Sequence, residues 1–305
     1  MKKSVVILVL ASLLLVLAAG CAGVSKSDAP PQEVTGPYPM IVVDDDGRTV
    51  VIDTEPMRFV SLAPNLTEML FALGLGDRVV GVSDFCNYPL QALEIEKIGN
   101  AFTPNVEKMI ALAPDVVVSP RGSVLQEAVA LLEQNGINVL VYDPKTIDEI
   151  EDVITRIAAM ANVDVNGKNL VSGLQMQRKE FAARVAAAGQ VSRPSAFILL
   201  DLDYLFTVGD GEYLSELIEA AGAVNAASGQ GVGYLMLSEE VLFELDPDII
   251  ICTFSMSGQV LAKPAWKELS AVKNGRVFDV EDDLVSRPGP RVILGLEELY
   301  RAIHQ

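Results

Sequence analysis

The feature that most constrains this chain is an internal repeat, because two halves built on one plan must fold as two similar units. Each half carries a helical pattern from a glutamate to a glycine, an apolar helix from a glutamate to a proline, a short Val or Ile strand, and an Asn-Gly turn. The matched landmarks are Glu68–Gly74 and Glu216–Gly222, Glu107–Pro114 and Glu240–Pro247, Val116–Val118 and Ile249–Ile251, and Asn135-Gly136 and Asn274-Gly275. Four landmarks in one order predict two copies of one supersecondary plan.

The stretch between the halves predicts one long helix over residues 165–189. Its apolar residues fall on a single helical face; they are Leu170, Leu174, Phe181 and Val185. On both sides, short apolar runs alternate with helical patterns, which is typical of α/β units with parallel strands. Periodicity alone is equally compatible with a crossover helix inside one larger sheet. The repeat favours an α/β fold of two similar lobes with mainly parallel sheets bridged by this helix, and a junction between lobes is a preferred ligand site.

These patterns divide the chain into five segments. We expect an N-terminal lobe over residues 40–163, a bridging helix over 164–190 and a C-terminal lobe over 191–305. A targeting segment, 1–23, and a flexible tether rich in Ser, Pro, Gly and Ala, 24–39, precede them. The 305 residues, half of them hydrophobic, suffice for two domains of ordinary size.

The targeting segment resembles a bacterial lipoprotein signal. Lys2 and Lys3 precede an apolar run, Val5–Leu17, that is shorter than the ~20 residues a membrane-spanning helix needs. Small residues then lead to Cys21, which such signals present for acylation. The alternative is an ordinary secretory signal with a chance cysteine. We therefore predict an extracytoplasmic protein held to the cell membrane by lipid, either in the periplasm or on the outer face of the cytoplasmic membrane.

The charge of the chain excludes one class of partner. Its formal net charge is −18, from 23 basic and 41 acidic residues, and no basic run interrupts it. Nucleic acid is therefore not an expected partner. The surplus of carboxylates instead favours electrostatic attraction of a basic partner.

Catalytic machinery is not evident. His304, the only histidine, stands next to the C-terminus, where we expect it to be solvated and too remote for a catalytic triad. Cys86 and Cys252 lack metal-ligand spacing and are predicted to be free or buried thiols. Gly229–Gly233 follows a helix and so lacks the strand-to-helix context of a phosphate loop. We predict a binding protein, not an enzyme, with no metal and no cofactor of its own; a lipid-anchored carboxylate hydrolase is the lower-ranked alternative.

Four segments carry a resemblance to a known family. They are RFVSLAPNLTEMLFALGLGDRVVGVSDFCNYP (58–89), NVEKMIALAPDVVVS (105–119), SEEVLFELDPDIII (238–251) and RPGPRVILGLEEL (287–299). In this order, behind a lipoprotein-type signal, they resemble the substrate-binding proteins of ABC importers for cobalamin, haem and ferric siderophores. The resemblance covers nearly all of residues 58–303 and implies two α/β lobes bridged by one long helix. It also implies a permease dimer with its ATPase as partners, and we expect the protein to be a monomer.

The resemblance implies a role for two of the repeated glutamates. In that family a glutamate on each lobe docks onto arginines of the permease, and the matching positions here are Glu107 and Glu240. Two like charges on similar lobes suit a two-fold symmetric permease. The alternative is that each acid only complements the dipole of the helix whose first turn it occupies.

The resemblance also implies ligand contacts. The positions that match the cleft of cobalamin binders are Phe85, Phe206, Tyr234 and Asp283, with Phe102 and Arg121 in adjoining loops. Flat aromatic side chains suit the face of a corrin or porphyrin. Two tryptophans of a cobalamin binder correspond here to Ala101 and Pro120.

We predict a metal-chelate ligand, with a corrinoid such as cobalamin favoured. A ferric siderophore or haem is the alternative. An anionic siderophore requires several basic cleft residues, of which Arg121 and Arg287 are evident. Haem requires an axial ligand, for which Tyr88, Tyr204 and Tyr234 are the candidates.

Overall fold

The structure is a computed structural model that describes residues 37–100, 102–188 and 193–305. The targeting segment, Cys21 and residues 24–36 of the expected tether lie outside the described residues, as does Ala101. The described chain begins at the end of the expected tether, where the Tyr38 hydroxyl donates to the carbonyl of Met160 at 2.6 Å. The last residues of that segment therefore pack on the N-terminal lobe.

Fourteen strands are present in the described residues. They are β1 (Met40–Val43), β2 (Thr49–Ile52), β3 (Phe59–Ser61), β4 (Val79–Val82), β5 (Gly99–Asn100), β6 (Thr103–Pro104), β7 (Val116–Ser119), β8 (Asn138–Val141), β9 (Ser195–Leu199), β10 (Phe206–Val208), β11 (Val224–Asn225), β12 (Tyr234–Met236), β13 (Ile249–Cys252) and β14 (Val277–Asp279). Asp45-Asp46-Gly47 stands between two strand-like runs, 40–43 and 49–52, and so predicts a hairpin. This prediction is confirmed, because β1 pairs antiparallel with β2.

Eleven α-helices connect or flank these strands in the same residues. They are α1 (Pro64–Ala72), α2 (Val106–Ala111), α3 (Gln126–Gln134), α4 (Ile147–Met160), α5 (Asp164–Ala187), α6 (Tyr213–Ala220), α7 (Glu239–Leu245), α8 (Ser257–Ala262), α9 (Ser270–Lys273), α10 (Asp282–Val285) and α11 (Val292–His304). None of these helices is long and apolar enough to span a membrane.

Each lobe is organised around a parallel four-stranded sheet, and the two sheets have the same strand order. The order is β4-β3-β7-β8 in the first lobe and β11-β9-β13-β14 in the second. Strands β7 and β13 are buried runs of Val and Ile, as expected where helices cover both faces of a parallel sheet. The α/β fold class and the internal repeat are therefore confirmed.

The predicted bridging helix is α5, a helix of 24 residues. At 1.5 Å per residue it is ~36 Å long. It packs along α4 and against α11, burying Leu174 and Phe181 from the predicted apolar face. A Cβ on Gly167 would lie 2.5 Å from the Cβ of Ala158, so glycine allows α4 and α5 to approach closely. One continuous hydrophobic core includes residues of both sheets and of α5, so the lobes pack against each other.

The Asn-Gly landmarks end helices and begin strands, as predicted. Gly136 follows α3 with φ 75°, and Gly275 follows α9 with φ 68°. Glycine adopts this left-handed conformation without steric cost, which makes it suitable just beyond a helix. The sequence also predicts that Thr146 caps the helix that follows it. This is confirmed, since the Thr146 hydroxyl accepts from the Glu149 amide at the start of α4 at 3.1 Å.

The first helix begins earlier than its sequence pattern indicates. We expected it over Glu68–Leu73 with Asn65 or Thr67 as the cap, but α1 begins at Pro64 and has no side-chain cap. Proline suits the first turn because the N–H group it lacks would have no helical partner there. Glu68 consequently lies in the middle of α1 and is buried, with 3% of its surface exposed.

Three further expectations were wrong. The sequence predicts that Phe206 lies in the loop after the first strand of the C-terminal lobe, but it lies in β10. The sequence also predicts a polar, Pro-rich loop over 281–290, but this segment contains α10. Both elements are too short for periodicity to reveal them. His304 is half-buried and not solvated; its ring stacks on Tyr300 with centroids 4.0 Å apart, and its Nε2 lies 3.2 Å from the Ala221 carbonyl oxygen.

Candidate ligand cleft

A buried carboxylate joins the two lobes at one side of their interface. Glu68 on α1 accepts from Nε and Nη2 of Arg291 at 2.8 and 2.7 Å, and from Nη1 of Arg287 at 3.0 Å. Only 2% of the Glu68 side chain is exposed, against 12% and 16% for the two arginines. Beside them the Asn65 side chain donates to the Pro288 carbonyl at 3.2 Å. The C-terminal lobe is thus tied to α1 by charge-assisted hydrogen bonds largely shielded from water.

Asp283, a predicted ligand contact, belongs to the same network. It forms an ion pair with Arg287 and accepts from Asn87 Nδ2 at 2.9 Å, while Asn87 Oδ1 accepts from Arg287 at 2.8 Å. The Arg291 guanidinium lies 4.2 Å from the ring centroid of Tyr88. A ligand at Asp283 would therefore meet a carboxylate that is already paired.

The repeat places an equivalent glutamate on the other lobe. Glu216 on α6 accepts from the backbone amide of Ile147, at the start of α4, at 2.8 Å, and lies 3.8 Å from Arg178. Burial raises the pKa of Glu216, and the amide and Arg178 only partly offset it. Each lobe therefore contributes one glutamate that contacts the other lobe, but only Glu68 forms ion pairs with two arginines. Sequence analysis found both glutamates as landmarks without revealing this role.

Between these contacts lies a cavity of about 200 Å³ lined by residues from both lobes. Lys145 and Glu212 cross it with an Nζ–Oε2 distance of 2.9 Å. Tyr142 and Tyr213 line it and are fully buried, and within the described residues their hydroxyl groups have no hydrogen-bond partner. Sequence analysis missed all four residues, because each lies among apolar or turn residues and only the packing of the lobes brings them together.

The two aromatic residues predicted on the C-terminal lobe form a stacked pair. Phe206 on β10 and Tyr234 on β12 have ring centroids 5.8 Å apart and an interplanar angle of 25°. The rings are diagonal neighbours on one antiparallel pair, since Phe206 is opposite Met236 and Tyr234 is opposite Val208. Tyr234 is 45% exposed and also lines the cavity. We call Phe206 and Tyr234 the aromatic platform.

The two predicted aromatic residues of the N-terminal lobe are exposed. Phe85 is 50% exposed and Phe102 is 77% exposed. Their segments are joined, because the Asp84 amide donates to the carbonyl of Gly99 at 2.9 Å and Phe102 lies in the turn between β5 and β6. Phe85 is also two residues from Asn87, which contacts the opposite lobe. These side chains are free to contact a large ligand.

Arg121 does not offer a free positive charge. It forms ion pairs with Asp46 and with Asp143, the latter at 2.9 Å, and donates to the Asp45 carbonyl at 2.8 Å. The hydrogen bond to Asp143 is the main reason that the pKa of Arg121 is raised. An anionic ligand group would have to compete with these two carboxylates.

A close backbone contact holds the aromatic platform in place, and it gives a testable prediction. A Cβ on Gly209, next to β10, would lie 2.2 Å from the carbonyl oxygen of Gly231. We expect Gly209→Ala to lower the free energy of unfolding by ~1–3 kcal/mol, as overpacking does, and to weaken ligand binding by displacing Tyr234. Thermal unfolding and calorimetry check this. Gly258→Ala is the control, because nothing lies within 4 Å of its Cβ; equal behaviour of the two variants would contradict the prediction.

The two predicted docking glutamates occupy equivalent positions. Glu107 and Glu240 are the second residues of α2 and α7. Asn105 Oδ1 caps α2 by accepting from the Lys108 amide at 2.9 Å, and Ser238 Oγ caps α7 by accepting from the Val241 amide at 3.4 Å. Both glutamates are exposed, and neither forms an ion pair with another described residue. A hydrogen bond from Ser238 lowers the pKa of Glu240.

The two cysteines of the lobes are free and buried, as predicted. Burial raises the pKa of Cys252 to about 12, so its thiol stays protonated and unreactive. The described part of the chain contains no group of three or more His, Cys, Asp or Glu residues arranged to hold a metal ion.

Comparison with known proteins assigns a family. Residues 59–284 match the model of the periplasmic binding protein family. An ABC transporter substrate-binding lipoprotein of Bacillus subtilis (strain 168), YvrC, is 34% identical over 310 residues, covering 100% of this chain and 98% of that protein. The crystal structure of the periplasmic vitamin B12 binding protein BtuF of Vibrio cholerae has a TM-score of 0.72 at 29% identity, covering 82% of this chain and 97% of the other. A periplasmic heme binding protein from Pseudomonas aeruginosa shares the fold, with a TM-score of 0.74 at 23% identity over 81% and 92% of the two chains.

The family match agrees with the architecture. It extends from the first residue of β3 into α10 and thus includes both sheets and the bridging helix. The resemblance inferred from the sequence motifs is confirmed. The chain belongs to the periplasmic binding protein family, whose members are the non-enzymatic substrate-binding components of ABC transporters.

Proposed function

We propose that this protein captures a corrinoid in the cleft between its lobes and delivers it to the permease of an ABC importer. The observation that carries the proposal is the combination of exposed aromatic side chains on both lobes with cleft cations, Arg121, Lys145 and Arg287, that are each in an ion pair. Phe85 and Phe102 on one lobe, and the aromatic platform on the other, offer flat apolar surface. Such surface suits a corrin ring, whose face is apolar and whose rim is polar.

The charges of the cleft favour a ligand without strong negative charge. Arg121 is paired with Asp46 and Asp143, Arg287 with Glu68 and Asp283, and Lys145 with Glu212. Binding an anion at any of these cations would break an existing ion pair. A corrinoid with amide side arms does not require this, whereas an anionic siderophore does.

Haem is the second candidate, because two tyrosines are exposed enough to approach an iron atom. Tyr204 is 68% exposed and Tyr88 is 46% exposed. Tyr234 is less suitable, since desolvation raises its pKa to about 12 and a ferric ligand must lose its proton. Haem also carries two anionic propionates, and binding them at the cleft cations would break the ion pairs described above.

Titration calorimetry of the full-length protein, purified in detergent, separates these ligands. We expect submicromolar binding of cyanocobalamin and at least ~100-fold weaker binding of haemin and of a ferric hydroxamate siderophore, a difference of ~2.7 kcal/mol. Tighter binding of haemin or the siderophore than of cyanocobalamin would contradict the corrinoid assignment. Binding of none of the three would contradict the whole class of metal chelates.

Lipid anchoring and permease docking complete the proposal. Cys21 would carry the lipid, which is supported by the targeting pattern and by a relative named as a lipoprotein. Glu107 and Glu240 would contact basic residues of the permease, one from each lobe. Their equivalent, exposed and unpaired positions in the described structure support this role. Family membership argues against the hydrolase alternative.

A further inference from the structure

The aromatic platform has an apolar neighbour, Met236, on the same two-stranded ribbon. The register of β10 and β12 places Met236 directly opposite Phe206, and Met236 lies two residues after Tyr234 on β12. Directly opposite residues of an antiparallel pair project from the same face, and so do residues two positions apart on one strand. Met236 therefore shares one face of the ribbon with both rings.

This face is turned away from the parallel sheet of the lobe. On the other face, Thr207 is fully buried, and its hydroxyl donates to the Ile198 carbonyl of β9 at 2.6 Å. The shared face is covered at Val208, which is fully buried opposite Tyr234, and open at Met236, which is 71% exposed. Since Tyr234 also lines the inter-lobe cavity, the apolar surface continues from the cavity onto Met236.

The position of Met236 distinguishes it from an ordinary exposed apolar residue. Single apolar residues scattered on a surface need no explanation, whereas contiguous ones with polar groups at their edge mark ligand-binding grooves. Met236 is contiguous with the aromatic platform, and the cavity beside the platform supplies the polar groups of Asp143, Lys145 and Glu212. The exposed surface of Met236 therefore belongs to the ligand cleft.

The side chain of methionine complements the two rings. It is unbranched, flexible and polarizable, so it fits irregular apolar surfaces that a rigid ring does not follow. A corrin is more saturated than a porphyrin and is therefore puckered, whereas a porphyrin is nearly flat. One flexible contact beside two rigid ones suits a puckered macrocycle, and a neutral thioether requires no charge on its face.

We propose that Met236 is a third ligand contact, which packs against the face of the macrocycle beside Phe206 and Tyr234. This rests on the proposed corrinoid function and identifies a further residue that sets the affinity for the ring. The contact is made by the apolar surface of the side chain. It therefore does not depend on the sulfur atom, in contrast to a bond between sulfur and the metal.

Peroxide footprinting of the full-length protein in detergent tests the contact directly. Hydrogen peroxide transfers one oxygen atom to an exposed thioether, which becomes a sulfoxide, and the peroxide becomes water. The internal control is Met57, which is 54% exposed and precedes β3, at the sheet edge opposite the carboxyl end of β8 where Asp143 lines the cavity. We expect saturating cyanocobalamin to lower the oxidation rate of Met236, relative to that of Met57, at least ~5-fold, because oxidation follows exposure. Mass spectrometry of the two peptides measures both rates.

Calorimetry with cyanocobalamin on Met236→Ala, Met236→Leu and the control Met57→Ala measures the contribution to affinity. We expect Met236→Ala to bind ~5–20-fold more weakly, because it loses most of the apolar area that the ligand would cover. Met236→Leu keeps the volume and should bind within ~3-fold of wild type. Met57→Ala should bind like wild type. Since Met236 is largely exposed without ligand, its substitution should shift the melting temperature by no more than ~2 °C, so weaker binding cannot be ascribed to loss of the fold.

The outcomes separate this inference from the proposed function. If wild type binds cyanocobalamin but Met236 is not protected, or Met236→Ala binds like wild type, the contact is refuted while corrinoid binding stands. Equal weakening in Met236→Leu and Met236→Ala also refutes it, because the sulfur atom would then be required. If wild type does not bind cyanocobalamin, the corrinoid function is refuted together with the inference that rests on it.

Discussion

Replacing Glu68 with alanine is expected to lower the free energy of unfolding by ~3–5 kcal/mol, the loss typical of breaking a buried ion pair. The variant leaves Arg287 and Arg291, both on the C-terminal lobe, next to each other at the lobe interface, with Asp283 as their remaining carboxylate. Neither guanidinium can lose its proton to escape burial. Urea unfolding of the full-length protein in detergent, followed by circular dichroism, measures the effect.

Glu216→Ala is the matched control, because Glu216 is the repeat equivalent of Glu68. It loses one hydrogen bond from the Ile147 amide and a distant contact with Arg178, so we expect a loss of only ~1 kcal/mol. Burial also raises the pKa of Glu216, so the folded protein disfavours the ionised form of its side chain. Glu216 therefore contributes most to the free energy of unfolding at acid pH, where its carboxyl is protonated in both the folded and the unfolded state. This contribution decreases as pH rises through the raised pKa of the folded state. Similar losses for the two variants would contradict the asymmetry that the structure shows.

Much of the fold was accessible from the sequence, because it is encoded locally and then repeated. The valine and isoleucine runs of β7 and β13, each preceded by a Pro-Asp pair, fix the third strand of each sheet. The Asn-Gly turns fix the entry to the fourth strand. Amphipathic spacing fixes α5, whose Leu174 and Phe181 are buried as the pattern indicates.

The cleft was less accessible, because it is made by contacts between residues far apart in the chain. Arg287 lies 219 residues from Glu68, and no local pattern links them. Tyr142 and Tyr213 each continue an apolar pattern that is satisfied by plain burial, and only the packing around them shows that their hydroxyls have no partner among the described residues. The family resemblance supplied Phe206 and Tyr234 but not their stacking, which depends on the register of β10 and β12.

Reversing the charge of both docking glutamates is expected to abolish transport while leaving ligand capture intact. Glu107→Arg and Glu240→Arg would each place a cation where the permease is proposed to offer one. Like charges across an interface oppose association and misdirect the encounter. We expect each single variant to reduce ligand-dependent ATPase activity of the reconstituted importer at least ~10-fold, and the double variant to eliminate it. Calorimetry should show ligand affinity within about twofold of wild type, because neither residue lines the inter-lobe cavity.

Glu127→Arg is the control that separates docking from helix electrostatics. Glu127 is also exposed and is also the second residue of its helix, α3, in the same lobe as Glu107. If Glu107 and Glu240 act only by complementing helix dipoles, all three reversals should cost similar, small amounts of stability and leave transport unchanged. If they act by docking, Glu127→Arg should transport like wild type while the other two fail. Because the caps Asn105 and Ser238 remain in place, a transport defect with unchanged melting temperature assigns the loss to the permease contact and not to α2 or α7.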